Sequence, residues 1–574
     1  MCGIAGVFAY ADGAPAVDRA ELEAINERMR PRGPDAGGIW MADDRRVGLA
    51  ARRLAIIDLT DEGTQPMADV DGELRIVFNG EIYNHRELRA RLERFGARFH
   101  STSDTEVLLQ LYRRDGEAMV DLLRGMYAFA IWDTRARRLF VARDPYGIKP
   151  LYVADDGATL RFASTVKALL AGGRVSAAHD PAGVAGFWLL GSVPEPYTIH
   201  AAIRAVEAGT CFSVSSGGVA NARRFSSIAK TFAHARGQEA IADLVEPATL
   251  LREFITESLR YHLISDVPVG AFLSSGIDST ALTALAAAAG TPPRTVTVTF
   301  DELRGRAEDE APLAERFARE RGLAHATRVV TREEFAADLP KIFDAMDQPT
   351  IDGVNTWFVS KAAAETGLKV AISGLGGDEL FGSYPSFGAL PRLTHLARVP
   401  LAPLLARTMR NPKAKYVSRY ARTYAGAYLV KRGLFMPDEL PGLMKLDAVE
   451  QIAAQIDPDP GTAFGRVAAL EASLYMRNQL LRDTDWASMA HSLEVRTPLV
   501  DASLLRQIAP LLLVEGVRCK QYFAASPEPP LPQWLRARKK TGFLVPLKEW
   551  AELPPDGTTT RMRSWARTVW ERWA

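Results

Sequence analysis

A thiol stands at position 2 of this chain, in Met1-Cys2-Gly3-Ile4-Ala5-Gly6. Loss of Met1 would leave Cys2 with both a thiol and a free α-amine. An α-amine has a pKa near ~8, so much of it can act as a base at neutral pH. One residue then supplies nucleophile and proton acceptor, which is what acyl transfer needs. By itself, Cys2 reads equally as a small buried side chain in an apolar strand. A second set of residues suits a different chemistry. The run Asp266-Val267-Pro268-Val269-Gly270-Ala271-Phe272-Leu273 leads into Ser274-Ser275-Gly276-Ile277-Asp278-Ser279, and an Ala-rich stretch follows as far as Gly290. Strand, small-residue loop and helix start together make a phosphate-binding arrangement, because unpaired N–H groups and the helix dipole both face an anion. It is not a Walker loop, since no Gly-Lys-Ser/Thr is present. A structural strand-to-helix turn with an Asp near its cap is the plainer reading of that loop alone.

More motifs surround these two groups in a definite order. In the N-terminal part they are Arg32-Gly33-Pro34-Asp35, Arg52-Arg53-Leu54-Ala55-Ile56-Ile57-Asp58, and Asn79-Gly80-Glu81-Ile82-Tyr83-Asn84. They continue with Ser103-Asp104-Thr105-Glu106, which has the form of a helix capping box, and Arg143-Asp144-Pro145-Tyr146-Gly147. Further on come Ser373-Gly374-Leu375-Gly376-Gly377-Asp378-Glu379, then Met489 to Asp501 with Glu494-Val495-Arg496-Thr497-Pro498, then Lys540-Thr541-Gly542-Phe543. The N-terminal set resembles the class II glutamine amidotransferase domain, an N-terminal-nucleophile (Ntn) hydrolase with an αββα sandwich. The later set resembles the ATP pyrophosphatases, with a parallel-sheet α/β fold and added helices. In this order they resemble glutamine-hydrolysing asparagine synthetase over nearly the whole chain.

The resemblance implies roles residue by residue. Cys2 would attack the glutamine side-chain amide, with Asn79 and Gly80 stabilising the oxyanion. Arg53 would hold the α-carboxylate, and Glu81 and Asp104 the α-ammonium. Glutamate and ammonia would leave. Leu273, Ser274, Ser275, Gly276, Asp278, Ser279, Val298, Ser373 and Gly374 would surround ATP and its pyrophosphate. Asp278 and Asp378 would hold Mg²⁺, a hard cation that wants carboxylate oxygen, and Lys540 would neutralise charge at the reacting phosphates. An acceptor carboxylate would be adenylated, and ammonia from an internal channel would displace AMP. L-Aspartate is the default acceptor, with a uronate, a peptide or a natural-product acid as alternatives. A plain amidase with a structural second half is a further reading. Pro31 stands where the family often has His, and Leu375 where it commonly has an acidic residue. Either the acceptor pocket is less polar than a free aspartate needs, or Leu375 only packs and Glu379 takes over.

These groups need scaffolding, and the hydrophobic pattern supplies it. Val47–Ile57, Arg75–Phe78, Tyr127–Trp132 and Leu139–Val141 read as strands, and Arg19–Met29 and His85–Phe95 as helices. From about residue 250, short apolar runs alternate with helical stretches, which predicts a parallel sheet. After about 385 the pattern is mostly helical. The expected division is a glutaminase domain over 2–190, a connecting segment over 191–245 and a synthetase domain over 246–574.

Of 574 residues, 47% are hydrophobic and 24% charged, as in ordinary globular proteins, and the net charge is +1. That balance argues against a polyanion-binding surface, so no nucleic-acid partner is expected. Three cysteines make no disulfide framework, and nothing approaches a membrane-spanning run. The reading is a cytoplasmic enzyme with no membrane partner; a homodimer is the assembly left open.

Overall fold

The computed structural model describes residues 2–238, 246–399, 413–440, 459–514, 519–538, 545–551 and 561–573. The first half builds thirteen strands. They are β1 Cys2–Ala9, β2 Ala36–Met41, β3 Val47–Arg53, β4 Met67–Ala68, β5 Leu74–Ile82, β6 Gly125–Asp133, β7 Arg138–Arg143, β8 Tyr152–Asp155, β9 Thr159–Ala163, β10 Arg204–Ala205, β11 Thr210–Ser215, β12 Gly218–Val219 and β13 Arg223–Arg224. They form two antiparallel sheets, ordered β10-β8-β9-β1-β3-β2 and β12-β11-β7-β6-β5-β4, with β13 beside β11.

Strand β1 explains the layering. All eight of its residues are buried, so both faces must be covered. Ile4 and Phe8 face the second sheet and pack with Val77, Ala130 and Trp132. Ala5, Val7 and Ala9 face outward and pack with Leu22, Ile25 and Leu169 of the helices Arg19–Arg28 and Val166–Ala171. On the far side, Phe78, Phe129 and Phe140 meet Leu108 and Leu111 of the helix Asp104–Asp115. The result is helix, sheet, sheet, helix.

The second half carries a parallel sheet, ordered β16-β15-β14-β17-β18. Its strands are β14 Val269–Phe272, β15 Arg294–Phe300, β16 His325–Val330, β17 Val370–Ile372 and β18 Glu494–Arg496. Helices cover both faces, as a parallel sheet requires. Pro247–His262 and Ile277–Ala288 pack on one face through Leu251, Ile255 and Leu285. Val354–Glu365 packs on the other, where Phe358 and Ala362 meet Val296 and Val298. The C-terminal helix Arg561–Trp573 lies on that same core with Trp565 and Val569 buried. No described helix is long and apolar enough to cross a membrane.

Two boundaries differ from the pattern reading. Strand β3 stops at Arg53 instead of running to Ile57. Leu54 and Ile56 turn away because they bury against Val370 and Met489 of the second half. The segment 191–245 is also more than a connection, since β10 to β13 extend both sheets. The chain leaves them after Arg224, through a helix whose Ile228 and Phe232 join the second core.

Candidate active sites

Cys2 begins β1, paired in register with Arg53 at the end of β3. It is buried, and burial pushes its thiol pKa up. The resting group is therefore a neutral thiol that needs a base. The Cys2 nitrogen lies 3.0 Å from Asn79 Oδ1, and the Cys2 carbonyl accepts from Arg32 Nε at 3.3 Å. Asn79 is fully buried, and its Nδ2 donor has no partner in the protein. A buried amide with a free N–H costs stability unless a ligand oxygen takes the bond. Gly80 has φ +147°, and a Cβ there would lie 2.0 Å from the Met126 carbonyl. Only glycine fits, which explains the Asn-Gly pair in the middle of β5.

Alternation along β5 puts Asn79 and Glu81 on one face. Glu81 and Asp104 are buried, and both carboxyls are pushed up, first by burial. Asp104 accepts from the Ile82 amide at 2.8 Å. Two buried acids beside the nucleophile form a site for an ammonium group, which would supply the missing positive charge. The Arg53 guanidinium donates to the carbonyls of Thr60, at 2.9 Å, Ile57 and Asp58. It is placed beside Cys2, with its Nη atoms on the backbone. Ser103 caps the helix Asp104–Asp115 by accepting from Thr105 N. Glu106 does not close the expected box and instead accepts from the amides of His100 and Ser101. Asp144 gathers the amides of Tyr146, Ile148 and Lys149, so the Arg143–Gly147 motif builds a turn.

The second site is two loops pressed together. Ser274 Oγ and Ser279 Oγ are 2.8 Å apart, and Gly276 N donates to Ser274 Oγ at 3.1 Å. Gly276 caps the helix Ile277–Ala288, with Asp278 in its first turn. The loop after β17 lies against this turn. A Cβ on Gly374 would be 2.9 Å from Ser279 N, and one on Gly377 would be 2.4 Å from Asp278 Oδ1. The glycines let Asp278 and Asp378 converge on one point. There the Lys520 ammonium lies 2.5 Å from Asp278 and 3.0 Å from Asp378. Burial opposes that ammonium, yet the two carboxylates hold its pKa up. Leu273 and Val298 are buried on the neighbouring strands β14 and β15, and Leu273 N donates to Val296 O. Ser275 accepts from Arg538, which also reaches Glu310 at 3.2 Å. Neither Lys520 nor Arg538 was singled out by sequence; the only signal was a basic stretch near the C-terminus. Lys540 lies outside the described residues.

Between the sites runs β18. Arg496 is fully buried and donates to Glu494 Oε1 at 2.6 Å and to the His262 and Ile264 carbonyls. Its Nη2 is 3.6 Å from Glu81 Oε2, while its own carbonyl accepts from Ser373 N at 2.8 Å. Burial opposes charge on Glu494, but Arg496 pulls its carboxyl well below the usual range. One residue thus touches the ammonium site of the first half and the loop of the second. Arg32 and Asp485 add a buried two-pronged ion pair, 2.6 and 3.0 Å, across the same interface.

A family model of the glutamine amidotransferase domain matches residues 1–226, and one of asparagine synthase matches residues 250–566. The chain belongs to the asparagine synthase family. It is 31% identical over 594 aligned residues to asparagine synthetase (glutamine-hydrolyzing) 1 of Bacillus subtilis, covering 99% of this chain and 90% of the relative. A putative asparagine synthetase of Mycobacterium tuberculosis is 32% identical, over 96% of this chain and 88% of its own. Amidase chry2 of Gibberella zeae is 30% identical over 68% of this chain and 60% of its own. This membership makes the chain a carbon–nitrogen ligase that uses glutamine and ATP. The first match ends two residues past β13, where the chain leaves the N-terminal sheets.

Proposed function

We propose that this enzyme hydrolyses glutamine at Cys2 and uses the ammonia to amidate a carboxylate that it first adenylates. The observation that carries this reading is the convergence of Asp278 and Asp378 behind two glycine-tight loops, in the same chain as the Cys2–Asn79 pair. In the first site the Cys2 amine, once Met1 is gone, takes the thiol proton and Sγ attacks the glutamine amide carbon. Asn79 Nδ2 and the Gly80 amide receive the oxyanion, Glu81 and Asp104 hold the α-ammonium, and Arg53 faces the α-carboxylate.

In the second site an acceptor carboxylate oxygen attacks the α-phosphorus of ATP and pyrophosphate leaves. Ammonia then attacks the acyl carbon and AMP leaves. The loops Ser274–Ser279 and Ser373–Gly374 would cradle the phosphates, with Leu273 and Val298 beside the adenine and Lys540 at the reacting phosphates. Asp278 and Asp378 fit Mg²⁺, which uses one or two carboxylates plus phosphate oxygens and water. Among the described residues no group of three or more His, Cys, Asp or Glu is placed to hold a metal, which agrees with a site completed by substrate. When bound, the ion would neutralise the departing pyrophosphate. A cavity of about 20 Å³ lies between Tyr146 of the first half and Gly376, Glu379 and Met476 of the second. That is room for one molecule of water's size, hence for ammonia.

L-Aspartate is the starting candidate for acceptor. The test is to supply ATP, Mg²⁺ and glutamine and follow AMP and glutamate with and without an added carboxylic acid. Acceptor-dependent AMP release matched by glutamate is expected. Glutamate release with no AMP from any acid would leave only an amidase.

A further inference from the structure

A cavity of about 610 Å³ opens in the second half, between the loop before the helix Val354–Glu365 and the helices Tyr424–Arg432 and Arg561–Trp573. Its wall is largely apolar and aromatic, with Leu434, Leu474, Met562, Tyr428 and Tyr475. Its volume falls in the range of sites for drug-sized ligands, roughly 300–1,000 Å³. A free amino acid the size of aspartate fills on the order of 100 Å³, judged against about 30 Å³ for each liquid water. The cavity is several times too large for it.

The cavity adjoins the reaction loop through its inner wall. The Arg432 guanidinium lies over both Tyr475, at 4.2 Å, and Tyr384, at 4.4 Å. The two rings are 5.9 Å apart, and Tyr384 Oη donates to Glu379 at 2.9 Å. Glu379 is on the same loop as Asp378 and Leu375. Arg432 is itself neutralised by Glu471, at 2.8 Å, so this end offers a polar but uncharged pair.

Asp352 lines the same cavity. Among the described residues its hydrogen-bond donor is the Gly353 amide, at 2.9 Å, and it forms no ion pair. Burial pushes its carboxyl pKa up, and its charge adds to the burial that pushes the Tyr475 phenol up. Asp483 is close enough that Asp352 raises its carboxyl as well. Two acids at a largely apolar cavity call for a cation from the ligand.

Resting on the amide-synthesis reading above, we propose that the acceptor is a carboxylic acid much larger than aspartate. Its apolar or aromatic body fills this cavity, and its amino group pairs with Asp352. The carboxylate to be adenylated lies toward Tyr384 and Glu379, past the non-acidic Leu375.

The test uses the full chain with ATP, Mg²⁺ and ammonium chloride, which bypasses the glutamine site. AMP release is measured for L-aspartate, for aromatic dipeptides and other bulky amine-bearing acids, and for their N-acetyl forms. The best bulky amine-bearing acid is expected to exceed aspartate in kcat/KM by at least about 100-fold, as a size-matched apolar pocket permits. N-Acetylation should cost roughly 30-fold or more, and Asp352→Asn should erase that difference, since the charge pair is then gone. Met562→Trp, on a partly exposed position of the cavity wall, should remove bulky-acid turnover and leave glutamine hydrolysis intact. Best turnover with L-aspartate, unaffected by Met562→Trp, would overturn the proposal and leave amide synthesis standing. Equal use of free and N-acetylated acids would overturn the role of Asp352. AMP release with none of them, while glutamine is still hydrolysed, would bring down the synthetase reading and this proposal with it.

Discussion

Replacing Asn79 tests the glutamine site most directly, because the structure gives its side chain two separable jobs. Its Oδ1 lies 3.0 Å from the Cys2 nitrogen, while Nδ2 is a buried donor with no protein partner. Asn79→Asp keeps the acceptor and removes the donor; Asn79→Ala removes both. Loss of one preorganised oxyanion donor typically lowers turnover about 10²–10³-fold, or ~3–4 kcal/mol of transition-state stabilisation. Asn79→Ala also loses an acceptor hydrogen bond, worth about 1 kcal/mol, and positions the amine less well. Steady-state glutamate release should therefore fall about 10²–10³-fold for Asn79→Asp and further for Asn79→Ala. Ammonium-dependent AMP formation should stay near wild type, since the phosphate loops are elsewhere. Glutamate release by Asn79→Asp at close to the wild-type rate would refute the assignment. Equal losses in both activities would point instead to a folding defect.

Other outcomes follow from the same geometry. Asp278→Ala and Asp378→Ala should each remove acceptor-dependent AMP formation, by several kcal/mol of lost transition-state stabilisation, while glutamate release persists; normal AMP release from either would take that residue out of the phosphate site. Glu379 is buried, and burial raises its carboxyl to about 7. The folded state therefore binds a proton that the unfolded chain releases above its ordinary value of 4.5. This stabilisation is complete below that value and is lost as pH rises toward about 7, on the order of 3 kcal/mol in all. Glu379→Gln should flatten stability against pH in that window. If ionised Glu379 is the base for incoming ammonia, it should also lose a rise in ammonium-dependent turnover centred near 7. Unchanged pH profiles for both quantities would count against it. Arg496→Met leaves Glu494 buried without its cation and should lower stability by about 3–5 kcal/mol, read as a drop in the denaturant midpoint. An unshifted midpoint would mean that the pair is not what holds β18 between the sites.

Much of both sites was legible in the chain because their chemistry is local. Gly80 sits where a Cβ would strike the Met126 carbonyl, and Gly374 and Gly377 where one would strike the Asp278 turn. The requirement for no side chain is written at those positions, beside the acids and serines that it serves. The alternation in β1 and the helical period of Asp104–Asp115 likewise fall within a few residues of each other. What the tertiary structure alone decided depends on groups far apart in sequence. Arg496 meets Glu81 across two domains, and Lys520 meets Asp278 through a separate helix. The cavity takes its wall from positions as distant as Leu190 and Met562. No spacing rule encodes such meetings, because they are set by how whole sheets and helices pack. The electrostatics have the same origin: Glu81 and Glu494 are the same residue type, yet burial raises one carboxyl and Arg496 lowers the other. Only the folded surroundings determine which effect wins.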